Sequence, residues 1–135
     1  MKRAILLAGA ALLLASCKAP EPQEPPPKPF VGTHWQVVLD IPLKGEQPSM
    51  RFGDGRVAGF GGCSSFTAPY LSDSMGAGTL VIRKIQVDKR LCDAGARAVE
   101  DHLLEQLQGV QSYKILGDAM VMPGIAGEIK LIAVP

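Results

Sequence analysis

The chain of 135 residues is long enough for one domain of ordinary size, and its 14 Lys and Arg nearly balance its 13 Asp and Glu. A nearly neutral chain without a concentrated basic patch is not expected to bind nucleic acid. Its adjacent basic pairs, Arg83-Lys84 and Lys89-Arg90, are typical of a solvated surface. Three cysteines in so short a chain indicate one residue with a special role and one pair.

The first 17 residues have the pattern of a bacterial lipoprotein signal peptide. A basic start is followed by an apolar run over residues 4–14 and by Leu14-Ala15-Ser16-Cys17. The run is shorter than the roughly 20 residues that span a bilayer. The ending resembles a lipobox, so we expect Cys17 to become the acylated first residue of the mature chain, carrying palmitate-type chains. An Asp directly after the acylated cysteine would be expected to retain the protein in the inner membrane. Lys18 occupies that position, which favours the outer membrane, with the domain facing the periplasm. An ordinary signal peptide and an uncleaved anchor are the alternatives.

Residues 18–29 are predicted to form an extended tether. Six of these twelve residues are proline, which fixes φ and removes backbone donors. Such a segment adopts polyproline II at roughly 3.1 Å per residue and would hold a domain about 35 Å from the lipid surface. A ligand for an aromatic groove on another protein is the alternative interpretation.

Residues 30–135 are predicted to form one domain of seven or eight short strands and one helix. Alternating apolar residues and turn signals place the strands at residues 35–39, 50–52, 57–60, 66–71, 80–87, 110–116, 119–122 and 128–134. Gly53-Asp54-Gly55 predicts a hairpin, and Arg83-Lys84 predicts a kink in the longest strand. Residues 72–78, rich in Ser and Gly, are expected to be a flexible connection.

The helix is predicted to begin after Asp93 and to end at Gly109. Asp93 has the side chain of an N-cap, and glycine is common after the last helical turn. Apolar residues recur on one face from Ala96 to Leu107 at spacings of three and four. These elements predict an α+β fold, in which a twisted antiparallel sheet or incomplete barrel of short strands packs on the single helix.

Cys63 and Cys92 are predicted to form a disulfide. An exported chain folds where disulfides persist, and closing this loop would stabilise the domain by roughly 3.5 kcal/mol. The competing interpretations are a catalytic thiol and a redox pair. A nucleophilic cysteine needs a histidine base, and nothing in the spacing places His34 or His102 near Cys63.

No other motif predicts catalysis, a metal site or a cofactor. Residues 59–62 are glycine-rich but lead into strand-like sequence rather than into the helix that a phosphate cradle needs. Cys63-Ser64-Ser65 lacks the Gly-x-Ser-x-Gly pattern of a nucleophile elbow. Trp35, at the start of a strand, is expected in the core, although a lone tryptophan also suits a binding site.

Three stretches, residues 32–35, 50–59 and 61–70, are similar to patterns of the META domain, or HslJ-like, family. Gly32-Thr33-His34-Trp35 is similar to the family's Gly-x-x-Trp opening, and the family motif Gly-Cys-Asn is followed by Gly-x-Tyr. Gly62, Cys63 and Tyr70 match that motif, whereas Ser64 replaces its Asn and Ala68 replaces its Gly. Downstream, residues 88–92 stand where the family has Thr-x-Met-Ala-Cys, and only the cysteine matches.

The resemblance implies a compact domain of antiparallel strands with one helix, covering nearly all of the folded segment. It also implies an envelope protein, without an established enzymatic activity, that is tied to stress or to tolerance of an antibiotic such as novobiocin. Because the sequence shows no catalytic constellation, we expect a non-enzymatic protein. We therefore expect a periplasmic domain, anchored to the membrane through Cys17, that binds an envelope protein or an apolar ligand. The alternatives are a protease-directed inhibitor or small hydrolase using residues 61–70, and, by fold analogy, a secretion pilot lipoprotein.

Overall fold

A computed structural model describes residues 9–73 and 77–135. The start of the predicted signal peptide and the middle of the predicted flexible connection lie outside the described residues. In chain order the elements are β1 His34–Val37, β2 Ser49–Phe52, β3 Arg56–Phe60, β4 Ser65–Ser72, β5 Ala77–Ile82, β6 Gln86–Asp88, α1 Ala94–Gln108, β7 Ser112–Leu116, β8 Ala119–Met122 and β9 Ile129–Val134. None of the described helical residues forms a segment long and apolar enough to cross a bilayer.

Eight of the described strands form a closed antiparallel barrel in the order β1-β2-β3-β4-β5-β7-β8-β9, with β9 returning to β1. The short strand β6 pairs with β4 beside β5. The prediction of an α+β fold, with an open twisted sheet or incomplete barrel packed on the helix, is therefore wrong. The fold is mostly β, and closure leaves the ring without the unpaired edges that an open sheet exposes.

Closure depends on a change of partner within β5. Residues 80–82 pair with the end of β4, whereas residues 77–79 pair with β7. The predicted kink then separates β5 from β6, and Lys84 adopts a φ of 52° there. Pro69 lies opposite this break, so the absence of an N–H group on proline costs the sheet no hydrogen bond. The Pro69 carbonyl accepts from the Arg83 N–H at 3.2 Å. Strand β5 is thus divided between two neighbouring strands, β4 and β7.

The barrel interior is filled by the alternate residues of each strand. Among the bulkiest of its completely buried side chains are Trp35, Phe52 and Phe66. Burial of one large apolar side chain stabilises a fold by about 1.5–3 kcal/mol, so this alternation is the principal reason for the strand pattern. The Gly53-Asp54-Gly55 hairpin forms as predicted, with Gly55 at a φ of 73°, which a side chain would disfavour.

Helix α1 closes one end of the barrel instead of forming a separate layer. Asp93 caps it by accepting from the Ala96 N–H at 2.9 Å, as its sequence position predicts. Leu103 and Leu107 are buried in the barrel core. The turn between β3 and β4 packs against the helix at this end, and the loop before β9 bonds to Gly109 at the helix C-terminus.

The opposite end, the barrel mouth, is crossed by residues 28–33, which we call the N-terminal strap. The Lys28 N–H donates to the Gly117 carbonyl at 2.7 Å, and the Gly32 N–H donates to that of Phe52 at 2.9 Å. Phe30 enters the mouth between the rings of Phe52 and Tyr113, with centroid distances of 4.2 and 4.3 Å. The strap is therefore part of the folded domain, and Phe30 is its plug.

Candidate functional site

The predicted motif residues lie at two different ends of the barrel. Gly62, Cys63 and Ser64 form the turn between β3 and β4, beside the helix. Tyr70 lies at the other end of β4, in the barrel mouth. Trp35 is completely buried in the core, and its Nε1–H donates to the Phe30 carbonyl at 3.3 Å. The motif therefore does not mark one pocket. It marks a turn, a core anchor and a mouth residue.

The turn of residues 61–64, called here the Gly-Cys turn, is held by a helix carboxylate. Glu100 is only 2% exposed, and its Oε2 accepts from the backbone N–H groups of Cys63, at 3.0 Å, and Ser64. A Cβ on Gly61 would lie 2.8 Å from the Glu100 Cγ, so glycine is needed for this approach. Gly62 has a φ of 119°, which a residue with a side chain would strain to adopt.

The predicted disulfide between Cys63 and Cys92 is present, and it ties the Gly-Cys turn to the segment before α1. Ser64 provides a further tie, because its hydroxyl oxygen accepts from the Arg90 N–H at 3.1 Å. Ser64 is completely buried. Its hydroxyl is therefore engaged in the fold and closed to solvent, and residues 61–70 form a turn and most of β4 rather than a loop.

An open cavity of about 800 Å³ lies at the barrel mouth. Its walls are largely apolar and include the strap residue Phe30, the ring of Tyr70 and the side chain of Leu71. Asp54 and Asp73 place carboxylates at its rim, and Lys28 contributes an ammonium group. A pocket of this volume, with a few polar groups around an apolar floor, is typical of small-molecule binding sites.

Two ionisable groups of the cavity have shifted pKa values. Burial raises the pKa of Tyr70, and the nearby Asp54 carboxylate adds to the rise. The Tyr70 hydroxyl donates to the Gly53 carbonyl, which fixes it against the β2–β3 hairpin. Hydrogen bonds from the Thr79 side chain and backbone lower the pKa of Asp73, whose Oδ1 lies 2.9 Å from the Thr79 nitrogen. The Tyr70 hydroxyl on the cavity floor therefore stays uncharged at neutral pH, whereas the Asp73 carboxyl group at the rim is ionised.

The remaining candidates lie apart from both places. His34 lines a second depression of about 580 Å³ on the strap, together with Arg51 and Asp118. His102 is exposed on α1. Within residues 9–73 and 77–135, no group of three or more His, Cys, Asp or Glu side chains is placed to hold a metal ion. Cys17 is exposed and is not part of a disulfide.

Sequence reasoning missed Glu100 and Phe30, the two side chains that hold the ends of the barrel. Glu100 lies four residues after Ala96 and three before Leu103, so it falls on the apolar face of the predicted helix. A lone acid on such a face signals a buried partner. Phe30 directly follows the proline-rich tether, and no local pattern indicates that it folds back into the mouth.

Comparison with known proteins identifies one family and two similar folds. The profile of the META domain family matches residues 28–132. No curated protein is similar to the chain at a significant level. An NMR structure of a protein from Burkholderia xenovorans, 14% identical, covers 87% of this chain and 97% of its own with a TM-score of 0.66. A second NMR structure, also 14% identical, covers 74% and 87% with a TM-score of 0.58. At this identity the likeness shows a shared fold.

Proposed function

Because this chain belongs to the META domain family, we propose that it is a non-enzymatic envelope protein that binds an apolar ligand in the cavity at the barrel mouth. The observation that carries the proposal is the cavity itself, about 800 Å³ in volume and floored by the Phe30 and Tyr70 rings. Aromatic rings supply large apolar contact area, which is the main source of affinity for an apolar molecule.

The location of the cavity also suits a binding role. The interior of the barrel is filled by side chains, so a ligand is accommodated at its end, outside the Phe30 plug and between the strap and the β2–β3 hairpin. Leu71 is 71% exposed at this cavity, although it is large and apolar. A bound apolar molecule would contact this side chain and cover it.

We propose further that the domain is attached to the outer membrane through acyl chains on Cys17 and serves in tolerance of envelope stress or of an antibiotic. The support is the signal-peptide pattern before Cys17 and the proline-rich segment after it. Replacement of Cys17 by Ala should release the protein from the membrane while its domain still folds. A variant that sediments with membranes as the parent does would contradict this layout.

Binding is tested with the neutral fluorophore N-phenyl-1-naphthylamine and the chain from Lys18, which retains every cavity residue. Leu71→Gln should weaken binding about fivefold, because it removes roughly 1 kcal/mol of apolar contact. Ile125→Gln is the matched control, since Ile125 is 82% exposed in the loop at the helix end. Equal affinity of the two variants, or no binding by the parent, would refute the proposed site. Native mass spectrometry of the same chain from a periplasm then identifies any co-purifying lipid.

A further inference from the structure

We propose that Cys92 is a site of thiol–disulfide exchange, at which a small thiol forms a mixed disulfide while Cys63 remains in the fold as the resolving cysteine. The inference does not depend on the ligand cavity, which lies at the opposite end of the barrel. It rests on the unequal surroundings of the two sulfur atoms and on the contacts that keep the Gly-Cys turn in place.

Access to the two halves of the disulfide is strongly asymmetric. Cys63 is only 5% exposed, whereas Cys92 is exposed in the segment that precedes α1. Its neighbour Leu91 is completely exposed, so the chain around Cys92 is open to solvent. A thiolate attacks in line with the S–S bond, and only the sulfur that it can reach takes part. An incoming thiol therefore meets the Cys92 sulfur first.

The released sulfur has partners already in place. The Cys63 Sγ lies 3.4 Å from the Arg90 carbonyl oxygen, which can accept from the thiol once it forms. The Ser64 hydroxyl lies 3.6 Å from the same sulfur and donates to it. The Ser64 hydroxyl stabilises the departing thiolate and so opposes the repulsion from the Arg90 carbonyl oxygen and from the Glu100 carboxyl group, which is bonded to the Cys63 amide.

The exchange step is balanced without an additional oxidant. The thiolate forms a bond to the Cys92 sulfur, the bond to Cys63 breaks, and its electron pair leaves on Cys63 as a thiolate. That thiolate takes a proton from solvent. In the reverse step the deprotonated Cys63 attacks Cys92 and expels the small thiol, which restores the original disulfide.

The turn stays attached to the helix after exchange, because two ties do not involve the disulfide. Glu100 continues to accept from the N–H groups of Cys63 and Ser64, and the Ser64 hydroxyl continues to accept from Arg90. The modified protein is therefore expected to keep its barrel. Trp35, the single tryptophan and completely buried, reports on whether it does.

The test uses the full chain carrying Cys17→Ser in mild detergent, treated with reduced glutathione and quenched with acid at short times. Trypsin separates the two cysteines, since Cys92 lies in the peptide of residues 91–97 and Cys63 in that of residues 57–83. We expect at least tenfold more glutathione on residues 91–97, with unchanged Trp35 emission. Equal labelling, an excess on residues 57–83, or labelling that appears only as Trp35 becomes exposed would overturn the proposal.

A second measurement compares the two single-thiol proteins. Both carry Cys17→Ser. In Cys63→Ser the remaining Cys92 should react with iodoacetamide at least tenfold faster than Cys63 does in Cys92→Ser, and the difference should vanish in urea. Each variant lacks the disulfide equally, so loss of that bond alone does not produce a difference. Similar native rates in two proteins that both retain buried tryptophan emission would contradict the assigned asymmetry.

Discussion

Replacing Glu100 by Ala should be among the most destabilising single changes in this domain. The side chain is nearly completely buried, and one of its oxygens accepts from two buried backbone N–H groups, those of Cys63 and Ser64. A buried donor that loses its acceptor costs about 1–3 kcal/mol. Two such donors and the space left by the side chain give an expected loss of about 3–5 kcal/mol. A loss of this size is a large part of the 5–15 kcal/mol that stabilises a typical domain.

The assay is urea unfolding of the oxidised chain from Lys18, followed by Trp35 fluorescence. Glu105→Ala is the matched control, because Glu105 is exposed on the same helix and loses the same atoms. Glu100→Gln should cost less, about 1–2 kcal/mol, since its amide oxygen still accepts a hydrogen bond. If Glu100→Ala lies within about 0.5 kcal/mol of Glu105→Ala, water replaces the carboxylate at the turn and the reasoning fails.

Three further predictions concern the same two ends of the barrel. Gly61→Ala should cost about 2 kcal/mol in urea unfolding, and much less in the Glu100→Ala background, because its clash is with the Glu100 side chain. Additive effects would count against that contact. Phe30→Ala should cost about 3–4 kcal/mol, because it empties the space between two stacked rings; a loss under 1 kcal/mol would show that the plug is dispensable. Folding raises the pKa of Tyr70, so the protonated hydroxyl group favours the folded state. This contribution to the free energy of unfolding is complete below the unfolded-state pKa of about 10, and it is lost as the pH rises through the folded-state pKa. Unfolding measured from pH 8 to 12 should therefore show a steeper loss of stability in the parent than in Tyr70→Phe, and parallel curves would refute it.

Local patterns predicted the elements well because each depends on its own residues. Alternation placed β8 at the residues that it occupies, and Asp93 and Gly109 placed the ends of the helix. The kink at Arg83-Lys84 was also predicted and separates β5 from β6. These features follow from side-chain period, capping and backbone preference, which act within a few residues.

Closure of the barrel could not be predicted in the same way. It requires residues 77–79 to leave β4 and pair with β7, more than thirty positions away, and no residue at Thr79 or Leu80 signals that change. The placement of Phe30 has the same difficulty, because its partners Phe52 and Tyr113 are distant in sequence. Glu100 is different. Its position on the apolar helix face was readable, and the missing step was to treat a lone acid there as evidence of a buried donor.

The strap also determines how the domain would respond to mechanical load. A pull on residues upstream of Lys28 reaches the bond to Gly117 first, then the stacked ring of Phe30, and only afterwards the Gly32 bond to Phe52. These contacts are loaded in series, whereas each barrel strand is held along both edges by several bonds in parallel. The strap is therefore expected to yield before the barrel, and extraction of Phe30 would expose the rings of Phe52 and Tyr113 that it covers. Tension on the strap would therefore deepen the cavity at the barrel mouth.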